Sequence, residues 1–485
     1  MTFDLLITDA TVVNADGRTR AHVGVTDGVI TALLSPTRSV PVATRTVDAS
    51  GRLLIPGGVD GHCHVDQVTG AYASLDTYEI ATTGALHGGT TTIIDFGIPA
   101  DAAERPIDAL HRKLELTASA RCDVGLHGSV VRWDETVPTQ LEAMAELGVR
   151  SVKLYTTNRG TTMADDDTIL QVMKEMVRLG GLAYVHAEHD AIVVDRTAAC
   201  AAADNVGIAD LHRTRPALSE DASVREILAV AEYTGAPVYF VHQTTPAAVD
   251  AVEEARARGQ VVFSETCPHY LLLDESVYVG PAPEKYACCP PMRPASAVDG
   301  LLARLGRGAV DVVSSDHSCY DLSQKREHRH DVRRMPHGLP GVETRMPAAY
   351  TAMVTRAGLP VERFVEAFAT APARINGLPT KGVVDVGYDA DLVLLDPGET
   401  RVVDGARLHQ GTDFSPFDGT ELHGWPSTVV VGGTVVLDDG RFRDPGPVGR
   451  YRPRTAFRDP ARSSADPARA ATAAPVDATL EAVAR

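Results

Sequence analysis

Cysteine is scarce and uneven in number. Seven thiols in 485 residues do not make a disulfide framework, and reduced thiols in a cytoplasm are the expectation. The N-terminus, Met1-Thr2-Phe3-Asp4, has no basic stretch followed by an apolar run, so no secretory leader is expected. No apolar stretch is long enough to span a bilayer, which sets a membrane aside. Positive charge is in deficit. Lys and Arg number 46 against 64 Asp and Glu, a formal charge of −18. Such an acidic surface repels phosphate backbones, which sets nucleic acid aside as a partner. No G-x-G-x-x-G follows a strand candidate, so an open dinucleotide-binding sheet lacks its phosphate loop.

Hydrophobic residues make up 44% of the chain, enough for a large core and more than one domain. Residues 1–52 read as short strands at 4–7, 21–25 and 29–33, punctuated by Asp16-Gly17 and Asp27-Gly28. The same texture returns at 391–396 and 427–437. One β-sandwich domain built from 1–52 and 378–450 is expected. Between them, over 53–377, apolar strand candidates lie at 53–59, 90–96, 123–131, 149–156, 182–187, 237–243, 260–266 and 309–315. Segments of helical periodicity, such as 139–147, 168–179, 224–233 and 247–258, separate most of them. Strand–helix alternation repeated eight times predicts an α/β fold, a closed (β/α)₈ TIM barrel. Residues 451–485 are rich in Ala, Arg, Pro and Asp, and are expected to be a disordered tail or a strap on a second subunit.

Polar residues stand at the ends of these strands. The first runs into His62-Cys63-His64, and alternate residues on a strand face one way, so both imidazoles can reach one point. The fourth carries Lys153, the fifth ends in His186, the sixth in His242, and the eighth in Asp316-His317. Singly, each histidine reads as a surface or core residue and the lysine as one that snorkels to solvent. Together they converge on the C-terminal face of a barrel, where active sites of this fold lie. Imidazole and carboxylate donors suit two zinc ions; manganese, iron and cobalt accept the same set. An ammonium beside metal cations is repelled. Carboxylation of Lys153 by CO₂ turns it into an anionic carbamate with two oxygens, able to bridge two metals.

The chain resembles the dihydropyrimidinase–hydantoinase branch of the cyclic amidohydrolases. The matching stretches are Pro56-Gly57-Gly58-Val59-Asp60-Gly61-His62-Cys63-His64-Val65-Asp66 and Gly88-Gly89-Thr90-Thr91-Thr92-Ile93-Ile94-Asp95-Phe96. Further on come Thr266-Cys267-Pro268-His269-Tyr270-Leu271, Ser315-Asp316-His317, Gly341-Val342-Glu343-Thr344-Arg345 and Gly387-Tyr388-Asp389-Ala390-Asp391-Leu392-Val393. The resemblance implies a hydrolase that opens cyclic ureides, imides or lactams. His62, His64 and Asp316 would hold the more buried metal, His186 and His242 the more exposed one. Carboxylated Lys153 and a hydroxide would bridge them, with Asp316 as general base and then acid. A homo-oligomer, tetramer or dimer, is implied too.

Three substrate positions depart from the pattern. The family's tyrosine, five residues after the bridging lysine, is replaced by Asn158, its serine before Pro-Pro by Cys289, and its asparagine in the last substrate loop by His337. This predicts retained chemistry on a changed ring. His337 is expected to carry charge near neutral pH, and Arg159 to add a positive charge at the rim. Together they favour an acidic or strongly hydrogen-bonding substituent; a donor such as Tyr155 standing in for the lost tyrosine is the conservative alternative. Allantoinase is the alternative activity, since that family also lacks the tyrosine and has a run like Ser315-Asp316-His317-Ser318. Dihydroorotase is disfavoured because its substrate-binding arginine falls at Asp66. A non-catalytic interaction protein of this fold is the alternative of another class, and the complete ligand set argues against it.

Overall fold

The computed structural model describes residues 2–37, 41–69, 72–101 and 103–457. Both termini build one nine-stranded sheet. From the N-terminus come Phe3–Asn14, Gly17–Thr26, Val29–Leu34, Ala43–Asp48 and Leu53–Pro56; from the C-terminal part come Leu392–Leu395, Pro426–Val431, Thr434–Asp438 and Arg441–Phe442. The two halves join where Leu53–Pro56 runs antiparallel to Leu392–Leu395. The hairpin after Gly17–Thr26 turns on Asp27 and Gly28, both at positive φ (51° and 76°), the backbone that matches strand twist. The sheet's inner side packs Leu5, Ile7, Val23, Ile30, Leu54, Leu392 and Val430 into a core of its own.

The middle of the chain forms a closed parallel barrel. Seven strands follow in order: Gly58–His64, Thr90–Gly97, Asp123–Ser129, Ser151–Tyr155, Leu182–His186, Val238–Phe240 and Val262–Thr266. The eighth is split. Val312–Val313 pairs with the seventh strand, and His317–Ser318 pairs with the first, at His317 to Cys63 and Ser318 to His64. The link between these halves contains Asp316, whose amide donates to the His62 carbonyl at 2.9 Å. Closure of the ring therefore places Asp316 beside the first-strand histidines.

Local sequence explains the helices that cover the barrel. In Asp166–Leu179, Asp165 caps the N-terminus by accepting from the Thr168 amide, and Gly180 ends the helix in the left-handed region at φ 61°. Asp166 and Asp167 sit in the first turn and Arg178 in the last, each complementing the helix dipole. Ile169, Val172, Met173 and Met176 recur at helical spacing and are buried. Each such side chain stabilises the fold by roughly 1.5–3 kcal/mol, so a charge at Val172 would unseat this helix.

Aromatics are only 5% of the chain, and several concentrate inside the barrel. Phe96, Tyr184, Tyr239 and Phe263 fill it, Tyr184 lying on Tyr239 with ring centres 4.1 Å apart.

Two sequence-based boundaries shift. The run 53–59 is not one barrel strand: Leu53–Pro56 belongs to the terminal sheet, and the first barrel strand starts at Gly58. Continuous apolar character spans both because each piece is buried. Residues 451–457, expected in the tail, pack under the barrel. Tyr451 bridges to Val124, and Arg452 pairs with Asp123 at 2.6 Å. Buried Arg454 donates to the Leu126 carbonyl and to Asn376 Oδ1. Charged residues stay there because carboxylates and carbonyls meet them. The rest of the expected tail, 458–485, lies outside the described residues. No helix among the described residues is long and apolar enough to cross a membrane.

Candidate metal and substrate site

The barrel ends bring the predicted residues together. His62 Nε2, His64 Nε2 and Asp316 Oδ1 form a triangle: 3.3 Å between the two imidazoles, 3.2 and 3.4 Å from each to the carboxylate. Across the same space His186 Nδ1 stands 2.9 Å from His242 Nε2. The ring centres of His62 and His242 are 5.4 Å apart, which links the two groups. Lys153 is buried, with its Nζ 4.9 Å from the Phe96 ring centre and 5.1 Å from that of Tyr155. Lys153, His64, His186, His242 and Asp316 all line one cavity of about 880 Å³.

Two of these residues sit in a backbone region that side chains disfavour. His242 has φ 38° and Asp316 φ 49°. Left-handed backbone costs a non-glycine residue roughly 1–2 kcal/mol and persists where the surroundings impose it. Asp316 owes it to the change of partner within the eighth strand.

A second layer, invisible to the motif reading, fixes the imidazoles. His62 Nδ1 meets Glu265 Oε1 at 2.7 Å. Glu265 in turn accepts from the Tyr239 hydroxyl at 2.7 Å and the His242 amide at 3.0 Å. His186 Nε2 meets Glu188 Oε2 at 2.8 Å, and Glu188 is clamped by Arg215. Carboxylates behind ring nitrogens orient imidazoles and set their tautomers. The signal for Glu265 was its place at the end of the seventh strand, just before Thr266-Cys267-Pro268-His269.

The charge state follows from burial and neighbours. Burial works against the Asp316 carboxylate, but the imidazoles of His62, His64 and His242 outweigh it and hold its pKa well below the usual range. Burial, with His186 beside it, holds His242 well below an ordinary imidazole. Burial lowers Lys153 to about 8, against the upward pull of Asp316 and Glu265.

Asn158, Cys289 and His337 line the same cavity. Asn158, at φ 71°, spends its side chain on Thr162 Oγ1 at 3.4 Å, across its own turn. Cys289 Sγ lies 2.8 Å from His337 Nδ1. Burial pushes the thiol up to about 12. It pushes His337 down to about 3, with Arg215 and Lys325 adding to the effect. The expected charge on His337 is therefore absent near neutral pH, and a neutral thiol meets a neutral ring. Gly338 keeps this loop close. It has φ 147°, and a Cβ there would lie 2.6 Å from that of Ser318. Arg159 also departs from expectation. Its guanidinium pairs with the buried Asp190, Nη2 to Oδ2 at 2.7 Å, and it is not among the residues that line the cavity.

Comparison with known proteins agrees with this geometry. The pattern of the amidohydrolase family matches residues 53–436. A D-hydantoinase of Ralstonia pickettii is 35% identical over 464 residues, covering 94% of this chain and 100% of the relative. A D-phenylhydantoinase of Escherichia coli is 33% identical, covering 94% and 99%. The crystal structure of dihydropyrimidinase from Brevibacillus agri superposes with a TM-score of 0.90 at 31% identity, covering 94% and 99%. The chain belongs to the amidohydrolase family, in its hydantoinase and dihydropyrimidinase branch.

Proposed function

We propose that this chain hydrolyses the amide bond of a cyclic ureide, imide or lactam at a two-metal site. The observation that carries the reading is the triangle of His62, His64 and Asp316, with edges of 3.2–3.4 Å. Bonds of about 2.0–2.1 Å at the corners of a zinc tetrahedron have edges of roughly 3.3–3.4 Å. The donor set fits zinc. His186 and His242 would hold the second ion.

Lys153 would bridge the two as its carbamate. Its lowered pKa supports this, since the neutral amine is the form that adds CO₂. When bound, a pair of divalent ions brings a water into deprotonation range near pH 7 and polarises the scissile carbonyl. Asp316, which lines the cavity beside both histidine groups, accepts the proton from the attacking water. It then returns that proton to the ring nitrogen as the carbon–nitrogen bond breaks. Glu265 and the Glu188–Arg215 pair hold the imidazoles so that no reorientation accompanies the reaction.

The changed substrate contacts point to a ring other than dihydrouracil or plain hydantoin. Asn158 is committed to Thr162, and Cys289 to His337. Removal of one oxyanion donor costs roughly 10²–10³ in kcat. The reading also carries a cytoplasmic homo-oligomer, dimer or tetramer. The test is a hydrolysis screen of zinc- or manganese-loaded protein over cyclic ureides, imides and lactams, allantoin among them. Turnover of at least one ring class, with dihydrouracil and hydantoin poor, supports the reading. Metal-replete protein inert on every ring removes it. Dihydrouracil above ~10⁴ M⁻¹s⁻¹ in kcat/KM, an ordinary good value, removes the changed-ring part.

A further inference from the structure

The segment 325–337 carries five Lys and Arg against two acids, in a chain of net charge −18. It forms one wall at the mouth of the cavity, where Arg333, Arg334 and His337 line the space. Lys325 ties it down. This buried ammonium donates to the carbonyls of Ala287, Pro336 and Gly338 at 3.0, 3.0 and 2.7 Å. Two further cations are committed: Arg326 to Glu284 at 2.8 Å and Arg333 to Asp331 at 2.7 Å. Arg334 has no ion pair among the described residues.

Other charges stand near the cavity, among them the Glu327 carboxylate, which acts together with Arg334 on Tyr72 of the lining. Arg159 is paired with Asp190, and Lys153 belongs to the floor. Asp101 lines the cavity too, but its Oδ1 accepts from the amides of Ala103 and Glu104 at 2.8 and 3.1 Å. The cavity, about 880 Å³, is toward the upper end of small-molecule sites, roughly 300–1,000 Å³. A bare five- or six-membered ring at the floor leaves room for a substituent reaching the mouth.

We infer that the ring this enzyme opens carries an anionic substituent, a carboxylate, which Arg334 binds at the mouth of the cavity. This rests on the reading of cyclic amide hydrolysis and names its substrate class. Arg334 is exposed, and its guanidinium presents a planar fork that matches a carboxylate. The remote charge contributes to binding, so it acts through KM more than kcat.

The experiment compares two hydantoins of nearly equal shape, one with a 2-carboxyethyl and one with a 2-carbamoylethyl group at carbon 5. Metal-loaded wild type should favour the acid by about three- to fivefold in kcat/KM, mostly in KM, with the preference shrinking as salt rises. Arg334→Gln should bring the ratio close to one, and Arg334→Glu should reverse it. Equal turnover of both compounds by wild type overturns the inference while leaving ring hydrolysis intact. A preference that survives in Arg334→Gln overturns it as well. If neither hydantoin opens under conditions of full metal loading, the inference falls; the reading beneath it falls only if the metal-replete protein is inert on every ring class.

Discussion

Glu265 Oε1 lies 2.7 Å from His62 Nδ1, with both groups fully buried. That contact turns the other ring nitrogen of His62 toward His64 and Asp316, so the triangle proposed to hold a metal depends on a residue 203 positions away. Glu265→Gln keeps the volume but removes the charge that makes the imidazole a stronger donor. Metal affinity should fall by about 10–100-fold, read by chelator competition, with the fold intact by circular dichroism. Unchanged affinity would make Glu265 a packing residue only.

Lys153 offers a second test. Lys153→Ala should lose metal and activity together, and short carboxylic acids should partly restore both by occupying the place of the carbamate. Intact-protein mass under native, CO₂-saturated conditions should show the added carboxyl on the wild type. A fully active Lys153→Arg protein contradicts a bridging carbamate, since a guanidinium does not form one.

One substitution separates the two roles proposed for Asp316. Asp316→Asn retains an oxygen donor beside His62 and His64 but has no basic carboxylate. Much of the metal should remain while kcat falls by roughly 10²–10⁴, the usual weight of proton transfer. Near-normal turnover in metal-replete Asp316→Asn would refute the shuttle.

Acid should weaken the fold through His87, away from the site. Its ring lies flat on that of His409, centres 3.4 Å apart. Burial lowers His87 to about 3, with His409 adding to the effect, while hydrogen bonding to Glu343 raises His409. In the folded protein His87 stays neutral below the ordinary imidazole value, whereas the unfolded chain takes up a proton there. Its stabilising contribution is full above about pH 6.5 and declines as pH falls toward 3. Between pH 7 and 5 the loss amounts to about 1–2 kcal/mol, discounted for partial exposure. The drop in Tm from pH 7 to 5 should be smaller in His87→Gln than in wild type. An equal drop removes His87 from the explanation.

Much of the site was legible because a strand makes direction predictable. His62 and His64 are two apart, and the other ligands stand at strand ends, so topology alone brings them to one face. Glu188 and Arg215 were not legible, and Glu265 showed itself only by its place at a strand end. Each works through a partner that only the closed barrel brings near, and a lone acid on a strand end carries no motif. Arg159 and His337 were misread for a related reason. Local sequence shows that a side chain is cationic, but not that Asp190 pairs with it or that burial strips its charge. The barrel itself followed from alternation. The boundary at 53–58 did not, since two buried strands of different sheets make one apolar run.

The most direct measurement follows ring opening as metal is restored to chelator-treated, folded protein, with bound metal determined by elemental analysis at each step. The expected result is a saturation at about two ions per chain, with activity on a cyclic ureide, imide or lactam rising in step and reaching its maximum there. A folded protein that stays near zero metal after loading, or that binds two ions and opens none of these rings, would contradict a two-metal cyclic amidohydrolase.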